Sequence, residues 1–224
     1  MRGLVTCIIT LSILVIASCA SEEPTTPRPS AVDPKPNPIP SDSNVPVIVA
    51  FGDSLTAGHG VPAEQSYPSQ LQRELDRRGL RYRVVNAGVS GDTTGPSLSR
   101  IDAALAMKPK VVIIELGAND GLRGLPVEEM RRNLDTLIAK SQAAGARVLL
   151  TGMTLPLNYG PDYIRAYEAV FPNLAKERGV GLMPFFLEGV AARAEFNQDD
   201  GIHPTDKGYA VIVQNLMKFL APLL

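Results

Sequence analysis

The chain has 224 residues, enough for one domain with a sizeable core, and it carries 22 Lys and Arg against 23 Asp and Glu. Without a basic excess it lacks the electrostatic footprint of a nucleic-acid-binding protein, and its near-neutral charge argues against a polyanionic substrate. Its two cysteines, Cys7 and Cys19, both lie near the N-terminus. No cysteine therefore remains for a disulfide in the rest of the chain, and the core must be stabilised by packing.

The chain begins with an apolar run at positions 4–16 that follows a basic residue. The run is too short to span a bilayer but has the length of the hydrophobic region of an export signal. It ends in Ile-Ala-Ser-Cys at 16–19, which resembles the bacterial lipoprotein box. The resemblance implies a signal peptide at 1–18 and a lipidated Cys19 that anchors an exported protein at a membrane surface, on the periplasmic or outer-membrane face. An ordinary signal peptide and a buried N-terminal helix are the alternatives.

Positions 20–44 read ASEEPTTPRPSAVDPKPNPIPSDSN, with seven prolines and almost no large apolar side chain. Such a segment cannot pack a core. Proline-rich spacers favour extended conformations, so these residues can hold a domain up to about 75 Å from an anchor, at roughly 3.1 Å per residue. We therefore expect Cys19 and a disordered linker at 19–44, followed by one domain at 45–224.

From position 45 onward, short β-branched runs alternate with longer stretches of helical period, which indicates a parallel α/β sheet covered on both faces. Several runs are continuously apolar, as expected of strands buried on both sides. Five strands are predicted, at 45–51, 81–86, 110–116, 146–151 and 180–184. Helices are predicted at 66–78, 127–144, 161–178 and 205–220, and Pro172 predicts a break in the third of them.

The candidate site residues follow the predicted strands, at the edge where ligands bind in an open parallel sheet. They are Ser54, Gly88 and Asn119 after the first three strands, and Asp200 and His203 in the last loop. A serine nucleophile needs an imidazole to take its proton and a carboxylate to orient that imidazole. No metal-binding motif, Walker loop or dinucleotide fingerprint occurs in the domain, so no metal or cofactor is expected.

Four segments, FGDSL at 51–55, NAG at 86–88, GAND at 117–120 and DGIHP at 200–204, resemble the four ordered blocks of the SGNH, or GDSL, hydrolases. The resemblance implies a flavodoxin-like three-layer α/β/α sandwich and a serine esterase. It assigns Ser54 as the nucleophile, His203 as the general base and Asp200 as the orienting carboxylate. It also implies an oxyanion hole made by the backbone N–H groups of Ser54 and Gly88 and the side-chain amide of Asn119.

Each assignment has a plainer alternative. Asp53 with Ser54 is typical of a helix cap, and Asn119-Asp120-Gly121 is typical of a turn. Asp53 and Asp120 are interpreted as structural carboxylates in either case. The other histidine, His59, is expected to be a solvated loop residue that adds nothing to the site.

Two further segments, 56–58 with Tyr67-Pro68 and 119–126, resemble the bacterial acyl-CoA thioesterases, lysophospholipases and arylesterases. We therefore expect hydrolysis of a small-molecule ester or thioester through an acyl-serine intermediate. Positions 153–160 form either an apolar wall for the acyl group or simple loop packing. A carbohydrate O-acetyl esterase, a lysophospholipase and a non-enzymatic surface lipoprotein are the alternatives, and the last of these predicts a broken triad. The sequence makes no prediction of oligomeric state.

Overall fold

A computed structural model describes residues 45–224. The predicted signal peptide and the linker at 19–44 lie outside the described residues. Five parallel strands form one sheet in the order β2-β1-β3-β4-β5. The strands are β1 Val47–Gly52, β2 Arg83–Gly88, β3 Val111–Glu115, β4 Arg147–Thr151 and β5 Gly181–Met183.

Eight α-helices connect and follow these strands in the described part of the chain. The four longest are α2 Tyr67–Arg77, α6 Val127–Ala143, α7 Pro161–Arg178 and α8 Asp206–Leu220. The other four are single-turn helices at the carboxyl edge of the sheet or in the β2–β3 connection: α1 Ser54–Ala57, α3 Thr94–Ser97, α4 Ile101–Leu105 and α5 Ala118–Leu122. Short 3₁₀ turns lie at Ala63–Gln65, Leu157–Tyr159 and Ala221–Leu223.

The layering follows from strand order. The connection from β1 to β2 runs one way across the sheet, whereas those from β3 to β4 and from β4 to β5 run the other way. Because crossovers between parallel strands are right-handed, this reversal places α2 on one face and α6 with α7 on the other. The contacts agree, since α2 packs on α8 and α6 packs on α7. The predicted three-layer α/β/α sandwich with a five-stranded parallel sheet is confirmed.

The central strands are the most apolar. Every residue of β1 and β3 is buried, as their runs Val-Ile-Val-Ala-Phe-Gly and Val-Val-Ile-Ile-Glu predict for strands covered on both faces. Gly52 at the end of β1 pairs with Gly88 of β2 on one side and with Glu115 of β3 on the other. The carboxyl ends of three strands are therefore level, at the point where strand order reverses and ligands bind in such sheets.

The predicted break at Pro172 is wrong, because α7 continues from Pro161 to Arg178. A proline inside a helix removes one backbone hydrogen bond and costs about 3 kcal/mol. The turns on both sides of Pro172 bury large apolar side chains against the sheet, among them Tyr167, Phe171 and Leu174. This burial outweighs the local cost. No helix in residues 45–224 is long and apolar enough to cross a bilayer.

Candidate active site

The side chains of Ser54, His203 and Asp200, which come from distant parts of the sequence, form a continuous set of hydrogen bonds. Ser54 begins α1 directly after β1, and its Oγ lies 2.9 Å from Nε2 of His203. Nδ1 of the same imidazole lies 2.6 Å from Oδ2 of Asp200. An ionised carboxylate accepts a proton, so Nδ1 carries the hydrogen and Nε2 is left as the acceptor for the Ser54 hydroxyl.

Asp200 is held in its charged form. Its Oδ1 accepts the backbone N–H groups of Ile202 at 2.9 Å and His203 at 3.0 Å. The His203 N–H, together with the His203 ring and the Ile202 N–H, lowers the pKa of Asp200 to about 2. The carboxylate is therefore ionised at neutral pH and selects the tautomer of His203.

The loop that carries Asp200 and His203 is fixed at both ends. Asn197 forms an isolated bridge with Pro204, and its buried amide donates to the carbonyl of Val190 at 2.7 Å. The Gln198 N–H donates to the His203 carbonyl at 2.8 Å, and the Gln198 amide donates to the His59 carbonyl at 2.7 Å. These bonds tie the last loop to the loop that follows α1, and so place His203 over Ser54.

Asn119 lies in α5, directly beyond β3, and lines the same pocket as Ser54 and His203. Its amide nitrogen donates to Oδ2 of Asp53 at 3.1 Å and to the carbonyl of Asp92 at 2.9 Å. In the absence of substrate, both hydrogens of the Asn119 amide are therefore already donated to acceptors within the protein. An oxyanion can take one of them only by replacing an acceptor, and the uncharged Asp92 carbonyl is the weaker of the two.

Gly88 does not occupy the predicted oxyanion position. Its N–H donates to Oδ1 of Asn86 at 2.9 Å, within the same strand. A Cβ at Gly88 would lie 2.2 Å from the backbone nitrogen of Ala57, so glycine is required here because α1 packs directly on β2. The sequence interpretation that a donor must approach the substrate at position 88 is therefore corrected.

Gly91, three residues after Gly88, lies at the pocket, whereas Gly88 does not line it. Gly91 lines the pocket with Ser54 and Asn119 and has a left-handed φ of 83°, which favours glycine. Its carbonyl accepts a hydrogen bond from Arg123 at 2.8 Å, which ties this loop to the end of α5. The sequence signal that could have pointed to Gly91 was the presence of a second glycine three residues beyond the end of β2.

Arg100 is a second residue that sequence reasoning did not single out. Its guanidinium donates to the carbonyls of Gly52 at 2.7 Å and Ala87 at 2.6 Å, and to the carboxylate of Asp92 at 2.6 Å. It therefore joins the ends of β1 and β2 to the loop whose Asp92 carbonyl contacts Asn119. An arginine outside the four motif blocks carries no sequence signal of this role.

His59 is exposed, as expected, but it contacts the site. Its ring lies 4.6 Å from the ring of His203, centroid to centroid, at an interplanar angle of 47°. It also lines the pocket. His59 is thus the exposed loop residue that was expected, but its ring contacts His203, because Gln198 and the backbone of α1 hold the loop there.

A buried carboxyl pair lies beneath the nucleophile. Asp53 is 1% exposed and caps α1 by accepting the Leu55 N–H at 3.0 Å. The helix cap, which was the plainer alternative for this segment, is therefore present beside the candidate nucleophile Ser54. Glu115 is fully buried at the end of β3, and its Oε2 accepts the Thr56 hydroxyl at 2.8 Å. Burial raises the pKa of both carboxyl groups, and that of Glu115 lies well above its ordinary range. The sequence analysis did not single out Glu115.

Asp120 has the structural role that was expected of it. Its carboxylate accepts the backbone N–H of Thr94 at 2.9 Å and the Thr94 hydroxyl at 2.6 Å. Burial raises its pKa, while the bonds from Thr94 oppose the shift. Asp120 therefore anchors the segment after β2 to α5. No cluster of three or more potential metal ligands is present in residues 45–224.

Two adjoining cavities open at this edge. The first, of about 220 Å³, is lined by the triad serine and histidine together with Gly91 and Asn119. The second, of about 370 Å³, is mainly apolar and shares four residues with the first: Leu55, Ala118, Leu122 and Ile202. Of the predicted wall at 153–160, residues 153–156 line the second cavity, whereas Leu157 is 90% exposed and points away from the core. An apolar group bound next to Ser54 can extend into this second cavity.

The parallel α/β fold and the hydrogen-bonded serine, histidine and aspartate together indicate a class of protein, the serine hydrolases. Residues 50–211 match the model of the GDSL-like Lipase/Acylhydrolase family, and the chain belongs to this family. The SGNH/GDSL resemblance seen in the sequence is thereby confirmed.

Similar proteins include Esterase TesA of Pseudomonas aeruginosa, 44% identical over 79% of this chain and 89% of the relative. Thioesterase 1/protease 1/lysophospholipase L1 of Escherichia coli K12 is 40% identical over 79% of this chain and 84% of the relative. The crystal structure of TesA matches with a TM-score of 0.77 at 44% identity, covering 80% of this chain and 99% of that one. The SGNH-hydrolase family esterase AlinE4 matches with a TM-score of 0.67 at 43% identity, covering 80% and 96%.

Proposed function

We propose that this protein hydrolyses carboxylic esters and thioesters, with Ser54 as the nucleophile. The observation that carries the proposal is the continuous set of hydrogen bonds from Ser54 Oγ through His203 to Asp200, at the mouth of an apolar cavity. The names of the relatives, an esterase and a thioesterase/lysophospholipase, agree with this chemistry.

In the first half-reaction Ser54 Oγ attacks the substrate carbonyl while its proton passes to Nε2 of His203. The tetrahedral intermediate collapses when the bond to the leaving group breaks and His203 returns the proton to the departing oxygen or sulfur. In the second half-reaction His203 takes a proton from the water that attacks the acyl-serine; the bond between Ser54 Oγ and the acyl carbon then breaks, His203 returns the proton to Oγ, and the carboxylic acid is released. Asp200 remains ionised throughout and stabilises the imidazolium.

The negative charge on the substrate oxygen needs donors that are already in place. The backbone N–H groups of Ser54 and Gly91 and the amide of Asn119 surround the pocket and supply them in this proposal. Gly91 thus replaces Gly88 in the predicted set. Removal of one such donor typically lowers kcat by about 10²- to 10³-fold.

The acyl group binds in the cavity of about 370 Å³ in this proposal. An acetyl group would leave most of that apolar surface wet, so the cavity favours a longer acyl chain over a carbohydrate O-acetyl substrate. The leaving group faces solvent near the exposed His59 and Ile202, which agrees with a tolerance for aryl, glycerophosphoryl or thiol leaving groups.

The nucleophile is tested by labelling with a fluorophosphonate, followed by peptide mapping. Modification is expected at Ser54 and absent in Ser54→Ala. Hydrolysis of p-nitrophenyl esters from acetate to dodecanoate is expected to peak at an intermediate chain length. A Ser54→Ala variant that hydrolyses as fast as the wild type would refute the proposal. Lysophospholipid hydrolysis faster than that of any aryl ester would instead identify the lysophospholipase alternative.

We also propose that Cys19 carries a lipid that anchors the exported enzyme. Support comes from the box at 16–19 and from the proline-rich segment at 20–44, which is long enough to separate an anchor from a domain. Cys19→Ser is expected to release the protein from membrane fractions and to abolish incorporation of labelled palmitate. Cys7→Ser, in the apolar run at 4–16, is the matched control and should leave the membrane association and the palmitate incorporation unchanged. Membrane association that survives Cys19→Ser would contradict the anchor.

A further inference from the structure

The buried carboxyl pair beneath Ser54 has no role in the reaction described above. Glu115 is 0% exposed, and its Oε1 has no hydrogen-bond partner if both carboxyl groups are ionised. The side chains of Glu115 and Asp53 are nevertheless within hydrogen-bonding reach of each other. Two buried carboxylates in contact cannot both carry a charge at low cost, so the pair holds a proton.

The surrounding donors decide which carboxyl group keeps that proton. Asp53 accepts two N–H groups, from Leu55 at 3.0 Å and from the Asn119 amide at 3.1 Å, and these favour its anion. Glu115 accepts the Thr56 hydroxyl at 2.8 Å and is faced by the backbone N–H of Asp53, but burial still raises its pKa further than that of Asp53, which the charge of His203 also holds down. Glu115 is also the carboxyl group with an unpartnered oxygen, Oε1, and a proton on this carboxyl group lets it donate a hydrogen bond to Asp53.

The remaining groups around Glu115 agree with a neutral carboxyl. The polar groups that face it come from five elements: the carboxylate of Asp53 beyond β1, the hydroxyl of Thr56 in α1, and the buried phenols of Tyr67 in α2, Tyr167 in α7 and Tyr209 in α8. Burial raises the pKa of all three tyrosines, so all three stay uncharged. These neighbours supply no positive charge to an ionised Glu115.

We propose that Glu115 is a positioning residue for Asn119: its neutral carboxyl donates a hydrogen bond to Asp53, and Asp53 in turn holds the Asn119 amide at the pocket. The proposal rests on the proposed function. When an oxyanion replaces the Asp92 carbonyl, the bond to Asp53 is what keeps the amide in place. The shared proton also limits the negative charge beside His203 to that of Asp53 and Asp200.

The kinetic test compares Glu115→Gln with Glu115→Leu in the full-length protein. Gln has nearly the same shape and supplies an NH₂ group that can donate to Asp53 and an oxygen that can accept from Thr56, so kcat is expected to stay within about threefold of wild type. Leu removes both, so kcat is expected to fall about tenfold or more with KM little changed. The loss should stay smaller than the about 10²- to 10³-fold loss that removal of a complete oxyanion-hole donor causes. A Gln variant as slow as the Leu variant would overturn the proposal.

A double variant separates positioning from general support of the fold. In Asn119→Ala, the group that Glu115 positions is already gone, so adding Glu115→Leu should not lower kcat further, although the melting temperature should fall in both backgrounds. An equal loss of kcat in both backgrounds would show that Glu115 acts only through stability. That result would overturn the positioning role.

The pH profile tests the charge of Glu115. His203 is faced by Asp200 from its own loop, by His59 from the loop after α1 and by Asp53 from the end of β1. A neutral Glu115 adds no charge to this set, so Glu115→Gln should leave the acid limb of kcat unmoved. If Glu115 were ionised, its loss would remove an anion that favours the imidazolium, and the limb would shift to lower pH.

A spectroscopic measurement decides the protonation state without reference to turnover. The infrared difference spectrum of wild type minus Glu115→Gln at neutral pH should show the carbonyl stretch of a protonated carboxyl group. Its absence would refute the neutral Glu115 even in an inactive protein. Conversely, lack of Ser54-dependent hydrolysis with this band present would refute the proposed function and leave the carboxyl pair established.

Discussion

Replacement of Asp200 by asparagine reverses the direction of one hydrogen bond. The oxygen of the introduced amide can take the place of Oδ1, which accepts the N–H groups of Ile202 and His203. The amide nitrogen then faces Nδ1 of His203 in place of the carboxylate oxygen that lies 2.6 Å from it. The opposite amide orientation would set an NH₂ group against two backbone donors, so it is disfavoured.

The imidazole must then accept at Nδ1 and carry its proton on Nε2, which lies 2.9 Å from Ser54 Oγ. In that tautomer His203 cannot take the serine proton. The equivalent substitution in a serine protease of another fold lowers kcat by about 10⁴, or about 5 kcal/mol of transition-state stabilisation. We expect a loss of about that size for Asp200→Asn, since the three groups are hydrogen-bonded in the same order.

The assay is steady-state hydrolysis of a p-nitrophenyl ester, with the melting temperature measured in parallel to confirm folding. Asp199→Asn is the matched control, because Asp199 is the exposed neighbouring carboxylate, whereas it is Asp200 whose Oδ2 lies 2.6 Å from Nδ1 of His203. It should hydrolyse the ester at the wild-type rate. A kcat for Asp200→Asn within tenfold of wild type would refute the argument that the carboxylate selects the tautomer.

The remaining predictions concern five residues. His203→Ala should abolish ester turnover, whereas His59→Ala should keep most of kcat, and the opposite ranking would overturn the base assignment. Gly88→Ala should lower the melting temperature because its Cβ meets the backbone of α1, whereas Gly91→Ala should lower kcat with a smaller change in melting temperature. A larger kcat loss in Gly88→Ala than in Gly91→Ala at equal folded fraction would restore the original assignment. Pro172→Ala should stabilise the protein by about 1–2 kcal/mol by restoring a hydrogen bond within α7, and denaturant unfolding would show the opposite if the ring packing mattered more.

The candidate triad was predictable because its members lie in short blocks that resemble those of the SGNH hydrolases, and each block also has a local structural reason. Ser54 and Asp53 form a cap at the end of an apolar strand, and Asp200 and His203 are separated by the spacing that lets one carboxylate bind both the backbone and the ring. The parallel sheet supplies the rest, because it collects strand ends at one edge. The order of these blocks was therefore enough to place them together.

The choice between Gly88 and Gly91 for the proposed oxyanion donor was not predictable in the same way. Gly88 and Gly91 are both glycines in the same segment, and both need the absence of a Cβ. The reasons differ: Gly88 needs it for the close approach of α1, and Gly91 for its left-handed backbone. Only the position of the neighbouring helix distinguishes packing from function at these two residues.

By itself, the sequence determined the α/β architecture, because apolar periodicity is a local property, and the resemblance of four short blocks to the SGNH hydrolases supplied the family and the three candidate triad residues. The tertiary structure alone decided that α7 passes Pro172 unbroken, that His59 lies against His203, and that Glu115 meets Asp53 beneath the nucleophile. Each of these depends on contacts between residues far apart in sequence, whose energies local propensity does not contain. Glu115 shows the difference most clearly, since a glutamate at the end of an apolar run reads as the point where a strand reaches solvent, yet here it is fully buried.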